Sequence, residues 1–289
     1  MYVGLVFAVF ASTALTVGLY LMKRRVERLP SLGNGWRWAA WWAFIRDPWW
    51  MAGLILQIAG YGLYVLALHA APLSIVHTVL TGGIVLFVIL AVVGLGEHLR
   101  SMEWAGVCSI TVALLVLSFS LPQAPAGPSV AHGMMPFSVV LLALAGLALG
   151  VGQGAARTVG LSLASGFMLG LASVYAKGFA SAPSLRAGIE SVYLFLSMGT
   201  NLLGFVLLQT AFQTGRGVVV MPLFSALSNL VPIVGGILVF GESLPSHGAA
   251  AVTRPAAFAL AILGGALLAG VGERSATTPA SQIERASWR

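Results

Sequence analysis

Long apolar segments, separated by short polar ones, run along almost the whole chain. A helix that crosses a bilayer needs about 20 predominantly apolar residues. The pattern therefore predicts an all-α membrane protein with nine transmembrane helices, which are expected at 2–22, 50–69, 72–96, 103–121, 134–152, 159–180, 189–213, 217–241 and 250–271. The first segment lacks a preceding basic residue and a following small-residue cleavage site, so we expect a retained helix rather than a signal peptide.

The segment Trp36–Trp50 is rich in tryptophan but too short to cross a bilayer. It also carries Arg37, Arg46 and Asp47. Because indole rings favour the headgroup region, the segment is predicted to be interfacial. The alternative is a tenth, weakly apolar span.

Two of the apolar segments resemble each other. Residues 77–99 read HTVLTGGIVLFVILAVVGLGEHL and residues 222–244 read PLFSALSNLVPIVGGILVFGESL, so both end in Gly-Glu-x-Leu at a separation of 145 residues. A duplicated helix of this kind predicts two structural repeats, an arrangement common in secondary transporters. The residues assigned to this structural motif are Gly96, Glu97, Gly241 and Glu242, together with Pro222 and Pro232 in the second copy.

The nine spans divide into two groups of four with one span between them. We expect a first transmembrane repeat at 1–122 (with a cytoplasmic or interfacial loop at 23–49), a linker plus the fifth span at 123–155, a second repeat at 156–272, and a disordered cytoplasmic tail at 273–289. Five spans separate the two starting points, so the second repeat should begin on the opposite side of the membrane. The repeats are therefore predicted to be inverted.

Charged residues make up 8% of the chain and hydrophobic residues 58%, whereas a soluble protein carries about 25% charged residues. The net charge of +7 does not indicate nucleic-acid binding, because the basic residues lie in short segments between apolar ones. That distribution sets membrane topology. It favours an outside N-terminus and a cytoplasmic C-terminus, with Arg186 in an outside loop and Lys177 and Arg254 near outer helix ends. We expect a multi-pass protein of the cell membrane, with features of a bacterial inner membrane.

Polar side chains inside spans are the candidates for a binding site, because a polar group in hydrocarbon is costly unless it faces the bundle interior or a wet cavity. The predicted substrate-binding residues are Gln57, Tyr61, Tyr64, His77, Thr81, Asn201, Ser228 and Asn229. Gln57, Tyr61 and Tyr64 share one helical stripe, and His77 shares a face with Thr81.

Each candidate also has a structural interpretation. Serine and threonine in membrane helices often bond their own backbone or a neighbouring helix. His77 could couple transport to protons or simply face water at a helix end. Glu97 and Glu242 could carry protons, but a role in the turn is favoured. The two prolines could free carbonyls that line a site, or could kink the helix for packing.

The second to fourth spans contain an Ala-Pro turn at Ala71-Pro72, a long helix ending in Gly96-Glu97, and a following helix that contains Gly106. This order resembles the drug/metabolite transporter superfamily, in EamA-type half-domains, over residues 50–121 and 159–271. The nine-span count is most similar to the NIPA-type magnesium transporters. Those proteins carry an acidic residue and an asparagine before the Ala-Pro turn, where this chain has Tyr61 and Tyr64.

The resemblance implies a secondary transporter that moves a small solute through a central cavity by alternating access. Because the tyrosines replace oxygen ligands suited to a hard dication, a neutral or amphipathic solute is favoured, and magnesium is the alternative. Neither a cofactor nor a metal site is expected. The expected partners are the solute and the lipid bilayer, without nucleic acid; proton coupling and a homodimer stay open.

Enzyme and scaffold functions are disfavoured by what the sequence contains. Asp47 is the sole aspartate and Cys108 the sole cysteine, and the chain lacks the HExxH and Gly-x-Ser-x-Gly motifs. A scaffold has no need of two opposed repeats. We therefore expect a transporter and not an enzyme.

Overall fold

The computed structural model describes residues 2–30, 38–70, 73–120, 133–150, 155–180 and 190–240, and helical residues at 253, 256–257, 259–265 and 267–268. Within these residues the regular secondary structure is helical, which confirms the expectation of an all-α chain for that part. The helices are α1 (Tyr2–Val26), α2 (Trp38–Arg46), α3 (Pro48–Ala70), α4 (Leu73–Leu95), α5 (Ser101–Ser120), α6 (Met134–Leu149), α7 (Ala155–Ala180), α8 (Val192–Thr214) and α9 (Gly217–Phe240).

Four of the described helices are long and apolar enough to cross a membrane by length and composition: Val3–Val26, Ala156–Gly178, Val192–Thr214 and Gly217–Phe240. Shorter apolar stretches occur at Val79–Leu95, Ser101–Val116 and Met134–Leu149. These helices indicate a membrane protein. The total of nine spans stays a prediction.

Two helices extend four residues beyond the apolar segments that predicted them. α1 continues through Lys23, Arg24 and Arg25 to Val26, four residues past the predicted end at residue 22. α7 begins at Ala155 rather than at residue 159. Hydropathy marks where a chain leaves hydrocarbon, whereas alanine, lysine and arginine favour helix in water as well, so a helix can extend beyond its apolar segment at either end.

α2 occupies the tryptophan-rich segment and has nine residues, about 14 Å at 1.5 Å per residue. That length is under half of a hydrocarbon core of about 30 Å, so α2 by itself is too short to span. Asp47 separates α2 from α3 and caps α3, because its Oδ1 accepts a bond of 2.8 Å from the Trp50 N–H. Pro48 takes the first position of α3, where its missing N–H costs nothing.

The Asp47 carboxylate also accepts hydrogen bonds from Arg25. Nε lies 3.2 Å from Oδ1 and 2.9 Å from Oδ2, and Nη2 lies 2.5 Å from Oδ2. Burial by itself would raise the pKa of Asp47. The hydrogen bonds from Arg25 and Trp50 outweigh it and hold the pKa below its ordinary value. Asp47 therefore stays ionised and ties the end of α1 to the start of α3.

The helices α1, α3, α4 and α5 form what we call the first unit. α1 packs against α3 and α4, and α4 packs against α5. Gly18 and Gly53 let α1 and α3 approach closely, because a Cβ on either glycine would lie 2.7 Å from the other's carbonyl oxygen. Gly60 packs against Leu15, so the two helices run antiparallel. Ser12 and Thr16 bond to the carbonyls of α4 at Val79 and Gly83, so α1 and α4 run parallel.

The helices α7, α8 and α9 form the second unit, with α6 packed on α7. Ser165 donates to the Gly204 carbonyl at 2.8 Å and Ser197 donates to the Ala172 carbonyl at 2.9 Å, so α7 and α8 run antiparallel. Gly166 and Gly170 of α7 pack against Leu227 and Val231 of α9, so these two helices run parallel. The second unit thus has the same pairing of directions as the first.

The two units face each other with opposite sense. Lys23, near the end of α1, bonds to the carbonyls of Phe212 and Gly215 at the end of α8. Thr158, at the start of α7, meets Gly215 and Thr214. α7 therefore begins at the end of the bundle where α1 finishes. We call this end of the bundle the cluster end, after the charged residues described below that join the two units there, and we call the opposite end the far end. The sequence predicts that the cluster end is cytoplasmic.

Candidate functional site: a polar cavity between two units

A cavity of about 420 Å³ lies at mid-height between the two units. It is within the range of roughly 300–1,000 Å³ that small-molecule sites occupy. α1, α3 and α4 line one side, and α7, α8 and α9 line the other. Its polar lining residues are Ser12, Thr16, Gln57, Tyr61, Tyr64, Thr81, Ser173, Asn201, Ser225, Ser228 and Asn229.

Seven of the eight predicted substrate-binding residues line this cavity: Gln57, Tyr61, Tyr64, Thr81, Asn201, Ser228 and Asn229. The eighth, His77, lies in the first turns of α4, but its side chain is outside the described part of the chain. The structure thus brings the described candidates together from four helices. Their role in binding stays a prediction.

Four polar lining residues are not among the predicted ones: Ser12 and Thr16 of α1, Ser173 of α7 and Ser225 of α9. Ser12 and Thr16 are one turn apart, so a search of α1 for polar pairs at helical spacing would have found them. Ser173 bonds the carbonyl four residues earlier at 3.1 Å, which resembles an ordinary intrahelical serine. Its cavity position depends on packing alone.

Part of the polar lining is held by the helices themselves. Gln57 Nε2 donates to the Leu15 carbonyl at 2.6 Å and so joins α3 to α1. Asn229 Nδ2 donates to the Ser225 carbonyl at 2.7 Å, which uses one of the four hydrogen-bonding positions of that amide. Tyr61 is 62% exposed, and its ring centroid lies 5.9 Å from that of Tyr64. The tyrosine pair gives one wall an aromatic surface.

Carboxylates do not occur among the residues that line the cavity in the described part of the chain. All of the described residues together contain no group of three or more His, Cys, Asp or Glu able to hold a metal ion. The lining offers hydroxyl, phenol and amide groups beside leucine and phenylalanine. Such a surface can bind a small molecule by hydrogen bonding and apolar contact.

Pro222 and Pro232 lie inside α9, and four of its five cavity-lining residues lie between them. A proline cannot donate to the carbonyl four residues earlier, so these positions release the carbonyls of Val218 and Ser228 from that bond. Ser228 also lines the cavity. The proline pattern therefore places one released carbonyl at a cavity position.

At the cluster end, four charged residues join the two units: Lys23, Glu97, Glu103 and Arg216. We call them the inter-unit cluster. Lys23 is 1% exposed and donates to the carbonyls of Phe212 at 2.7 Å and Gly215 at 2.6 Å, and to Glu27. Because a helix C-terminus carries partial negative charge, the ammonium stabilises the end of α8.

Glu97 also bonds to the second unit, but it accepts hydrogen bonds at a helix N-terminus, whereas Lys23 donates them at a helix C-terminus. Its carboxylate accepts from the N–H groups of Gly217 at 2.7 Å and Val218 at 2.9 Å, and so caps the N-terminus of α9. Gly96, directly after the last residue of α4, adopts a φ of +69°, in the left-handed region that favours glycine, and so ends the helix just before Glu97. The Gly96-Glu97 pair therefore ends α4 and caps α9. Gly241 and Glu242, its predicted counterparts, lie outside the described residues.

Glu103 is 1% exposed and pairs with Arg216, whose Nη1 lies 2.7 Å from Oε1. The second Glu103 oxygen accepts from the Arg100 N–H at 2.8 Å. Arg216 also donates to the His98 carbonyl. The start of α5 and the residue before α9 are thereby fixed to each other.

Apolar packing follows the same division between the two ends. The largest buried cluster draws residues from both units, and Phe87 and Phe212, both fully buried, stack across the interface at 5.9 Å. Two further clusters in the described chain each stay within one side. One lies in α6 to α9 and the other, around Ala8 and Ala67, lies in the first unit toward the far end. The units are therefore joined between the cavity and the cluster end.

Comparison with known proteins gives a match to a family of transporters. Residues 1–135 match the family model described as magnesium transporter NIPA, which covers just under half of the chain and contains α1 to α5. Neither the curated proteins nor the solved structures include a match. The first 135 residues are therefore similar to a family of membrane transporters, in agreement with the apolar helices.

Proposed function

We propose that this protein is a secondary transporter that moves a small neutral or amphipathic solute through the cavity by alternating access. The observation that carries the proposal is the cavity itself, because both units contribute polar side chains to it. Gln57, Tyr61, Tyr64, Thr81, Asn201, Ser228 and Asn229 are the proposed binding residues, and His77 stays a candidate from the sequence.

The directions of the helices support an architecture of two inverted repeats. In each unit the first helix is antiparallel to the second transmembrane helix and parallel to the third. The unit that begins with α7 is reversed relative to the one that begins with α1. Inverted units can exchange conformations, so that a cavity opened toward one side of the membrane opens next toward the other.

The arrangement of contacts supports a conformation closed at the cluster end. The inter-unit cluster and the Phe87–Phe212 stack both lie on the side of the cavity toward that end. With the predicted topology, this is a state whose cytoplasmic side is closed. Transport to the cytoplasm would require the inter-unit cluster to separate.

Magnesium is the second candidate, and the family match to residues 1–135 favours it. The lining offers oxygen atoms but lacks carboxylates among the described residues. Mg²⁺ dehydrates reluctantly and usually keeps several waters, so this cavity would have to take the ion hydrated. A dehydrated ion does not suit these ligands.

The deciding experiment uses purified protein in proteoliposomes. Uptake of Mg²⁺ and of a panel of neutral and amphipathic solutes is measured with and without a pH gradient. Asn201→Ala is the test variant, because Asn201 lines the cavity. Thr200→Ala is the matched control, because the Thr200 hydroxyl bonds the Leu196 carbonyl of its own helix at 2.7 Å.

The proposal expects saturable uptake of a neutral or amphipathic solute, at least about 10-fold slower in Asn201→Ala and unchanged in Thr200→Ala; one buried polar contact is worth about that factor. Saturable Mg²⁺ uptake with the same variant pattern would establish the second candidate and reject the first. Equal rates in both variants would remove Asn201 from the site.

A further inference from the structure

A second, smaller pocket lies beside the end of α1, outside the transport cavity. Its volume is about 120 Å³, and Leu21, Arg24, Arg25, Arg28 and Trp49 line it. The volume is well below the roughly 300–1,000 Å³ of most small-molecule sites. It therefore suits a phosphate-sized group better than a whole metabolite.

Positive charge in this pocket exceeds the negative charge beside it. Arg25 is already paired with Asp47. Arg24 and Arg28, one turn apart and exposed, form no ion pair within the part of the chain that the structure describes. Glu27, the acidic residue between them, binds Lys23 instead. Like charges at this spacing repel each other, so an anion between Arg24 and Arg28 would relieve the repulsion.

The surroundings place the pocket at the level of lipid headgroups. Trp49 is 56% exposed, and Trp42 and Ile45 of the adjacent interfacial helix are also exposed. Tryptophan concentrates at the membrane interface, with its ring among the headgroups. Basic pockets at the ends of spanning helices suit the phosphate of an anionic lipid.

We propose that Arg24, Arg28 and Trp49 form a binding site for a phosphate group, supplied by an anionic phospholipid at the membrane surface. The guanidinium groups donate to the phosphate oxygens, as arginine does with fork-like geometry. Arg25 borders the site while its own guanidinium holds Asp47. The site is independent of the transported solute.

The test measures lipid binding to the full-length protein in detergent by native mass spectrometry. Phosphatidylglycerol is titrated against phosphatidylcholine, and inorganic phosphate is titrated separately. The test variant is Arg24→Gln with Arg28→Gln. The matched control is Arg100→Gln with Arg157→Gln, which removes the same charge from exposed arginines on the side predicted to be cytoplasmic.

We expect wild type and control to bind phosphatidylglycerol at least about 10-fold more tightly than phosphatidylcholine, and the test variant to lose that preference. Arg24→Lys with Arg28→Lys should retain part of it, which separates lost binding from lost folding. Binding of inorganic phosphate alone, lost in the same variant, would keep the phosphate site with a soluble source. An equal loss in test variant and control, or no preference in wild type, would overturn the proposal.

Discussion

The cluster end and the cavity region of this protein use polar residues in opposite ways. At the cluster end, Lys23, Glu97 and Glu103 are each bonded to the other unit, at distances of 2.6–2.9 Å. Around the cavity, Asn201 and Ser173 are exposed and Tyr61 is 62% exposed. Satisfied polar groups stabilise one arrangement of the units, whereas accessible ones can bind a solute. The difference separates the residues that hold the conformation from those proposed to bind.

Lys23→Met should cause the largest loss of stability. We expect about 3 kcal/mol, because the change leaves a buried and a partly buried carbonyl at the end of α8 without their donor. Lys177→Met, toward the far end, removes a cation 4.6 Å from the Phe240 ring centroid and should cost about 1 kcal/mol. Thermal unfolding in detergent compares the stability of the two variants. Equal losses of stability would mean that the cluster end is no more strongly held by its lysine than the far end.

The Glu103–Arg216 pair should show a coupling energy of about 2 kcal/mol, since Glu103 is buried while Arg216 is partly exposed to water. The measurement is a double-mutant cycle of Glu103→Gln and Arg216→Gln, with stability taken from denaturant unfolding. Additive effects would mean that the pair does not fasten α5 to the residue before α9.

Asp47→Ala should lower stability by about 1.5 kcal/mol at neutral pH, through loss of the cap on α3 and of the bonds from Arg25. The folded pKa of Asp47 lies below its unfolded value of about 3.9. Its contribution is therefore complete above that value and is lost as the pH falls through the lower folded pKa. The difference in melting temperature between wild type and variant should shrink over that range, and a constant difference would contradict it.

Glu97→Gln should cost about 1 kcal/mol, because the amide oxygen can still accept a bond while the charge at the N-terminus of α9 is lost. If the inter-unit cluster closes one face, this change should also favour the alternate conformation. Exposure of buried residues at the cluster end to hydrogen exchange would report the shift. Unchanged exchange would restrict Glu97 to a local role in the turn.

Ser173→Cys should change stability least, by under about 0.5 kcal/mol, because Ser173 is exposed at the cavity. In a Cys108→Ser background, a water-soluble thiol reagent should label residue 173 quickly. Ala211→Cys, fully buried at the cluster end, should stay unlabelled in the same background. Equal labelling of both positions would remove the contrast between an accessible cavity and a closed end.

Much of the local structure could be predicted from the chain. The apolar segments located each described helix within a few residues, and the tryptophan-rich segment became α2. Helical spacing also placed Gln57, Tyr61 and Tyr64 on one stripe, which lines the cavity. These features depend on hydropathy and on a fixed 3.6-residue turn, so nearby residues determine them.

Other features could not be predicted in that way. From the sequence, Lys23 was one of several basic residues that indicate membrane topology. In the structure it is buried against α8 and bonds to Phe212, which is 189 residues away in the sequence. Glu97 was expected to act within its own turn, whereas it caps a helix of the other unit. Ser173 was not among the predicted binding residues, yet it lines the cavity. Each outcome depends on which helices meet, and no local pattern contains that information.

The amino-acid sequence by itself determined that this chain forms long apolar helices and a short tryptophan-rich helix, because hydrophobicity and helix propensity act over neighbouring residues. The tertiary structure decided which polar groups became buried contacts between units and which were left around a cavity. The reason is physical: a polar side chain is satisfied only by the partner that packing brings to it, and here those partners come from the opposite half of the chain.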